Sequence, residues 1–66
     1  MFNEGYVLFS GDGCSSCVAL KSKLNADGVD FKEFNVWKDH EALDYIMSKG
    51  YRTIPQLFKD GEKVDA

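Results

Sequence analysis

Residues 6–26 of the chain, YVLFSGDGCSSCVALKSKLNA, decide the fold. Residues 6–10 are apolar or strand-forming, which predicts a buried β-strand. The glycines on both sides of Asp12 then break the strand, because glycine and aspartate favour tight turns. From Ser15 to about Ala26 the apolar residues recur at helical spacing, which predicts an amphipathic helix. The apolar face of this helix holds Cys17, Leu20 and Leu24.

The middle of the chain repeats this alternation of strand and helix. Apolar residues among polar ones predict a short strand that begins at Phe31 and ends at Trp37. Asp39 is a suitable N-cap for a second helix, and Gly50 suits the end of that helix. The apolar stripe of the second helix is predicted to hold Ala42, Leu43, Ile46 and Met47.

The last part of the chain is typical of a β-hairpin. Residues 56–59 predict a third strand directly after Pro55, and the Asp60-Gly61 pair is a hairpin turn. Residues 62–65 are therefore the predicted fourth strand. The resulting order is β-α-β-α-β-β, and its right-handed β-α-β crossover makes the first two strands parallel.

Length, composition and charge limit the classes of protein to consider. The 66 residues suffice for one domain over residues 1–66, and an apolar content of 44% is typical of a globular chain. The net charge of −3 comes without a basic cluster, which argues against a nucleic-acid partner. No apolar run approaches the roughly 20 residues of a membrane-spanning helix, and no secretory signal is visible. We therefore expect a cytoplasmic protein without nucleic-acid or membrane partners.

The two cysteines of the chain, Cys14 and Cys17, are separated by two residues. A bridge between them closes a very small loop and adds little stability, so the pair indicates chemistry rather than architecture. Cys14 lies at the predicted helix N-terminus, where unpaired N–H groups and the helix dipole lower a thiol pKa from about 8.5 towards roughly 3.5–7.5. Cys17 lies one turn deeper and faces the core. The spacing therefore predicts dithiol–disulfide exchange, with Cys14 as the nucleophile and Cys17 as the resolving thiol.

Other interpretations of the cysteine pair stay open at this point. Both residues would fit a core without any redox role, since free cysteine is often buried. A structural zinc site needs about four protein ligands, and His40 is the one remaining soft donor besides the pair, so we expect no metal ligand. A Cu(I) carrier is a further alternative, although such carriers usually have methionine where this chain has Asp12.

Pro55, the only proline, follows Thr53 and Ile54 between the second helix and the third strand. A proline is tolerated at the start of a strand, which explains Pro55 without any function. A cis Ile54–Pro55 bond would instead turn the backbone N–H and C=O of Ile54 outward, towards an extended peptide or thiol substrate. The residues alone leave both isomers open.

Several of these motifs together resemble the glutaredoxins. They are Phe9-Ser10 before the turn, residues 14–18 with the sequence CSSCV, Lys21, and residues 50–58 with the sequence GYRTIPQLF. The resemblance extends from Tyr6 to Val64. It includes the short, glutaredoxin-like redoxins that reduce ribonucleotide reductase.

The resemblance implies an α/β protein with the thioredoxin fold. Its four-stranded mixed sheet has the order 2-1-3-4, with the third strand antiparallel to the first. The resemblance also implies a cis Ile54–Pro55 bond and makes Cys14 and Cys17 the catalytic residues. Thr53, Ile54 and Pro55 would then form the backbone platform that binds glutathione or a substrate peptide.

The family relation implies partners as well. The substrates would be disulfide-containing proteins, ribonucleotide reductase among them, or glutathione mixed disulfides. The reductant would be glutathione or a thioredoxin-reductase-type flavoenzyme. We expect a monomer that binds no cofactor, with glutathione as a co-substrate. A dimer bridged by an iron–sulfur cluster is the alternative within the family.

Three departures from the family pattern set this chain apart. Ser15-Ser16 stands where the family often has Pro-Tyr between the cysteines, and Gly11 replaces a frequent lysine. Residues 65–66 replace the usual Gly-Gly, and the C-terminal helix of the family is absent from the sequence. The family holds the carboxylates of glutathione in that region, so the last departure bears on glutathione binding.

Overall fold

The computed structural model describes residues 2–64, which form four strands and two helices in the order β-α-β-α-β-β. Their order matches the sequence prediction, with the first and third strands and both helices at or near the expected bounds. The elements are β1 Tyr6–Ser10, α1 Ser15–Ala26, β2 Phe31–Asn35, α2 His40–Ser48, β3 Gln56–Lys59 and β4 Glu62–Lys63.

One mixed sheet joins the strands in the order β2-β1-β3-β4. β1 runs parallel to β2, with Tyr6 opposite Phe31, and antiparallel to β3, with Leu8 opposite Leu57. β3 and β4 form the antiparallel hairpin that was expected from Asp60-Gly61. The thioredoxin fold implied by the resemblance is therefore confirmed.

The central strand β1 is buried on both faces of the sheet. Because side chains alternate along a strand, Val7 and Phe9 point to one face and Leu8 to the other. The first face packs against α2, in a core cluster of Val7, Phe9, Val36, Ala42, Ile46 and Phe58. On the opposite face, Leu8 packs with Leu24 of α1 and with Leu57 of β3. The helices therefore cover the sheet from its two sides.

Aromatic rings fill much of the α2 side of this small core. The Phe9 ring lies 5.6 Å from the ring centroids of both Tyr45 and Phe58, and 5.7 Å from that of Phe2. Rings of this size bury a large apolar area per residue. They compensate in part for the small core that a chain of this length can form.

Both helices carry side-chain caps at their N-termini. The side chain of Asp39 accepts hydrogen bonds from the backbone N–H groups of Glu41 and Ala42, at 3.1 and 3.2 Å, which confirms it as the predicted N-cap of α2. After α2 the chain passes through Gly50 at a φ of 91°, a left-handed conformation that favours glycine.

The second strand ends earlier than the sequence analysis predicts, at Asn35 rather than Trp37. The Asn35 side-chain carbonyl accepts the backbone N–H of Trp37 at 2.9 Å. Its backbone carbonyl accepts the N–H groups of Lys38 and Asp39. This asparagine turn bends the chain out of the sheet before Trp37 is reached.

Met47 is also placed differently from the prediction. Ala42 and Ile46 of α2 are buried and Leu43 is half-buried, but the Met47 side chain is 47% exposed. One residue past Ile46, the helix has turned by about 100°, which carries Met47 towards solvent.

The hairpin strand β4 comprises only Glu62 and Lys63. Beyond it, the Val64 N–H still donates to the Leu57 carbonyl at 2.8 Å. The predicted strand reaches Asp65, which lies outside the described residues. Within residues 2–64, neither helix has the length and apolar character needed to cross a membrane.

The adjacent residues Ile46 and Met47 give a direct test of this packing. Ile46→Ala should lower the free energy of unfolding by about 2–5 kcal/mol, because the residue is 1% exposed and leaves a cavity in the core. Met47→Ala should change it by only about 0.5 kcal/mol. Urea unfolding of both variants measures the difference, and equal losses would contradict the described orientation of α2.

Candidate active site

Cys14 and Cys17 form a disulfide at the start of α1. Their Cα atoms lie 5.2 Å apart, as two residues one helical turn apart require. Cys14 is the N-cap residue, with the extended backbone angles φ −99° and ψ 101°, and Cys17 lies within the first turn. The turn of residues 11–13 leads from the end of β1 directly into this position.

The sulfur of Cys14 acts as the cap of α1. The backbone N–H of Cys17 donates a hydrogen bond to Cys14 Sγ at 3.0 Å. A serine or aspartate oxygen commonly fills this place at a helix N-terminus. The same amide and the positive end of the helix dipole stabilise a sulfur anion when the disulfide is reduced.

The two cysteines differ in exposure. Cys14 is partly exposed, whereas Cys17 is 3% exposed and belongs to the core face of α1. A disulfide substrate approaching from solvent therefore reaches Cys14 first. Cys17 is shielded from solvent.

A cleft of about 470 Å³ borders the disulfide on the side of β1 and β2. A hydrogen-bonded set of Ser10, Lys21 and Glu33 lines it together with both cysteines. Ser10, itself 3% exposed, donates from Oγ to Glu33 Oε2 at 2.7 Å, and Lys21 Nζ donates to Glu33 Oε1 at 3.0 Å. These contacts, that of Ser10 foremost, hold the pKa of the Glu33 carboxyl below its ordinary value of 4.5.

This polar set is not among the site residues predicted from the sequence. The local signal was a serine at the end of an otherwise apolar strand, where a buried hydroxyl needs a partner. The partner itself depends on the parallel register of β1 and β2, which places Glu33 opposite Leu8 and diagonal to Ser10. Residues 23 positions apart cannot be paired in this way from a local pattern.

The Thr53-Ile54-Pro55 loop lies on the other side of the helix start. Pro55 and Ser16 line a second cleft of about 260 Å³, and the Ile54–Pro55 peptide bond is cis, as the resemblance implies. The hydroxyl and carbonyl oxygens of Thr53 both accept from Gln56 Nε2, at 3.2 and 2.9 Å. Pro55 and Ser16, which lies between the two cysteines in sequence, therefore border the same cleft, and Thr53 is hydrogen-bonded to the start of β3.

Trp37, predicted as the end of a strand, lies beside the cysteine loop instead. A Cβ atom on Gly11 would overlap with Nε1 and Cδ1 of the Trp37 indole. His40, by contrast, is the exposed first residue of α2. In the part of the chain described, no three histidine, cysteine, aspartate or glutamate side chains are grouped as a metal site would require.

Comparison with known proteins decides the family. Residues 6–64 match the glutaredoxin family model. The chain belongs to the glutaredoxin family. Family membership and the Cys14–Cys17 disulfide together support thiol–disulfide oxidoreductase chemistry.

The chain is also similar to individual proteins and solved structures. The Gene 56 protein of Mycobacterium phage L5 is 38% identical over 39 residues, which cover 59% of this glutaredoxin-family chain and only 38% of the phage protein. The crystal structure of the thioredoxin-like protein BC3987 superposes with a TM-score of 0.85 at 27% identity, covering 92% of this chain and 85% of that one. Wheat glutaredoxin superposes with a TM-score of 0.74 at 25% sequence identity, covering 91% of this chain and 59% of the wheat chain. Buckwheat glutaredoxin in complex with glutathione shares the fold, with a TM-score of 0.73 at 21% identity, covering 88% and 56%.

The polar set predicts an acid-dependent stability. Because the folded pKa of Glu33 lies below 4.5, its contribution is complete above pH 4.5 and is lost as the pH falls through the folded pKa. Glu33→Gln should therefore remove part of the decrease in unfolding free energy that the wild type shows below pH 4.5.

Urea unfolding at a series of pH values measures this decrease. Glu62→Gln is the matched control, because Glu62 is an exposed carboxylate on the sheet. If both variants kept the acid dependence of the wild type, the Ser10–Glu33–Lys21 contacts would contribute nothing to stability.

Proposed function

We propose that the chain is a dithiol–disulfide oxidoreductase that reduces protein disulfides or glutathione mixed disulfides, with Cys14 as nucleophile and Cys17 as resolving thiol. The hydrogen bond from the Cys17 N–H to Cys14 Sγ, at 3.0 Å, is the observation that carries this proposal. It places an amide donor and a helix N-terminus on the more exposed of the two sulfurs.

The first step is attack by the Cys14 thiolate on a substrate disulfide. A bond forms between Cys14 Sγ and one substrate sulfur, the substrate S–S bond breaks, and the second sulfur leaves as a thiolate that takes a proton from water. The Cys17 amide lowers the free energy of the attacking anion, so a larger fraction of Cys14 is ionised near neutral pH.

The second step releases the product. Cys17 loses its proton and attacks Cys14 Sγ, the mixed disulfide breaks, and the substrate leaves as a thiolate. Two electrons have then passed from the protein to the substrate, and the Cys14–Cys17 disulfide of this structure results. Their Cα separation of 5.2 Å lies within the range in which two cysteines can form a disulfide.

Thr53, Ile54 and Pro55 are proposed to bind the backbone of the substrate. Support comes from the cleft that Pro55 shares with Ser16, which lies between the two cysteines in sequence. Ile54 and Pro55 are half-buried, so they form a firm surface rather than a loose loop.

Glutathione or a thioredoxin-reductase-type flavoenzyme would return the pair to the dithiol. Family membership supports glutathione as a co-substrate, and buckwheat glutaredoxin has been solved with it. We further propose ribonucleotide reductase as one protein substrate, and a cytoplasmic monomer as the working form.

Cysteine variants test the assignment of roles. Cys14→Ser should abolish exchange, because the accessible nucleophile is lost. Cys17→Ser should accumulate a mixed disulfide that mass spectrometry detects after incubation with a disulfide-containing peptide. Ser15→Ala, at an exposed position between them, is the control and should behave as the wild type. An active Cys14→Ser with an inactive Cys17→Ser would reverse the two roles.

Two coupled assays on the wild type, each with an excess of a disulfide-containing peptide as the electron acceptor, identify the reductant. One supplies glutathione with glutathione reductase, and the other supplies thioredoxin reductase, each with NADPH consumption as the readout. We expect turnover in one of them and a Cys14 thiol pKa below the ordinary 8.5 or so. No turnover in either, with an ordinary thiol pKa, would refute the enzymatic function.

A further inference from the structure

The Trp37 indole lies directly on the backbone of Gly11, three residues before Cys14. A Cβ on Gly11 would overlap with the indole and would come within 2.6 Å of Ile54 Cδ1. The side chains of Trp37 and Ile54 therefore both occupy the space that a side chain at Gly11 would need. In spite of these contacts, Trp37 is 58% exposed.

Hydrogen bonds hold the chain around Trp37 in place. Its backbone N–H donates to Asn35 Oδ1 at 2.9 Å, and the same asparagine donates from Nδ2 to Asp12 Oδ1 at 2.9 Å. The N–H of Val36 donates to the Ser10 carbonyl at 2.8 Å. The indole is therefore attached to a fixed backbone. When a ligand contacts the indole, the protein backbone loses little additional conformational entropy.

Exposed apolar side chains concentrate around the disulfide. Among residues 2–64, the exposed large apolar residues are Val18, Trp37 and Met47, with exposed fractions of 60%, 58% and 47%. Val18 lines the cleft beside Cys14, and Trp37 covers Gly11, which lines the same cleft. Val18 and Trp37 therefore both present exposed apolar surface near the disulfide, where a substrate would bind.

The charged side chains that line this cleft are paired, whereas Arg52, two residues before Ile54, is exposed. Lys38 Nζ lies 3.9 Å from Asp12 Oδ1, and Lys21 Nζ lies 3.0 Å from Glu33 Oε1. The pairing leaves this side of the disulfide without an isolated charge, which suits an uncharged polypeptide segment.

We propose that Trp37, Ile54 and the backbone of Gly11 form a platform for an aromatic side chain next to the half-cystine of a polypeptide substrate. This inference rests on the proposed function, because the platform selects substrates for exchange at Cys14. The occupant would stack on or against the indole, and aromatic pairs of this kind add to the gain from buried area. The platform makes the chain selective for protein disulfides flanked by an aromatic residue.

Two synthetic peptides, identical except for Phe or Ser beside a single cysteine, test the platform. Each is supplied as a mixed disulfide with 2-mercaptoethanol, and its reduction by the pre-reduced protein is followed by chromatography. We expect the wild type to reduce the Phe peptide about tenfold faster than the Ser peptide, which corresponds to about 1.4 kcal/mol.

Variants separate the platform from general exchange. Trp37→Ala should bring the Phe-to-Ser rate ratio close to one, while Trp37→Phe should retain most of the preference. Gly11→Ala should also reduce it, because the added Cβ displaces the indole. Met47→Ala, which removes an exposed apolar side chain of α2, is the matched control and should keep the wild-type ratio.

Trp37 is the only tryptophan, so its fluorescence reports binding without any exchange reaction. An unreactive Phe peptide, with alanine in place of cysteine, should change the emission of the oxidised wild type saturably. The corresponding Ser peptide should change it much less. Equal effects of the two peptides would contradict the platform.

Bis(2-hydroxyethyl) disulfide distinguishes the two ways in which the proposals fail. If the reduced wild type reacts with neither this compound nor the peptides, the proposed function is refuted and the platform with it. If it reduces all three substrates but shows no preference for Phe, or if Trp37→Ala keeps the preference, only the platform is refuted.

Discussion

Burial of β1 on both faces is the constraint from which the arrangement of this molecule follows. Val7, Leu8 and Phe9 are all 0% exposed, so each face of the sheet needs its own cover. The helix α1 covers Leu8, and α2 covers the other two. Pairing with β2 on one side and β3 on the other uses the backbone groups of β1. A strand fixed in this way delivers residues 11–14 to one defined point at the edge of the core.

At that point, two sulfurs of the same residue type acquire different surroundings from their places in one helical turn. Cys14 accepts an amide hydrogen bond and is partly exposed, whereas Cys17 is buried. The difference needs no special side chain, because every helix has unpaired N–H groups in its first turn. The polar set of Ser10, Lys21 and Glu33 lines the cleft beside both cysteines.

Local patterns predicted the elements because each pattern was strong within a few residues. Asp39 before a helical stripe and Asp60-Gly61 between two strands each define a cap or a turn by themselves. The errors arose where contacts distant in sequence or competing local bonds decide. Asn35 can continue a strand or close a turn, and its bond to the Trp37 N–H selects the turn. The Cys-x-x-Cys pair was visible in the sequence. Glu33 could not be predicted, because it lies at the site only as a result of the register between β1 and β2.

The two outer strands of the sheet have a consequence for how copies of the chain meet. Among residues 2–64, β2 and β4 are the edge strands of the sheet, and each has one row of backbone groups without a neighbouring strand. Edge strands of this kind can pair with other chains. β4 has only two residues, Glu62 and Lys63, and β2 carries Lys32 and Glu33 at its centre. Short length and ionised side chains of both signs make these borders poor templates for aggregation. The charged residues of the two edge strands therefore disfavour the pairing of one copy of the sheet with another.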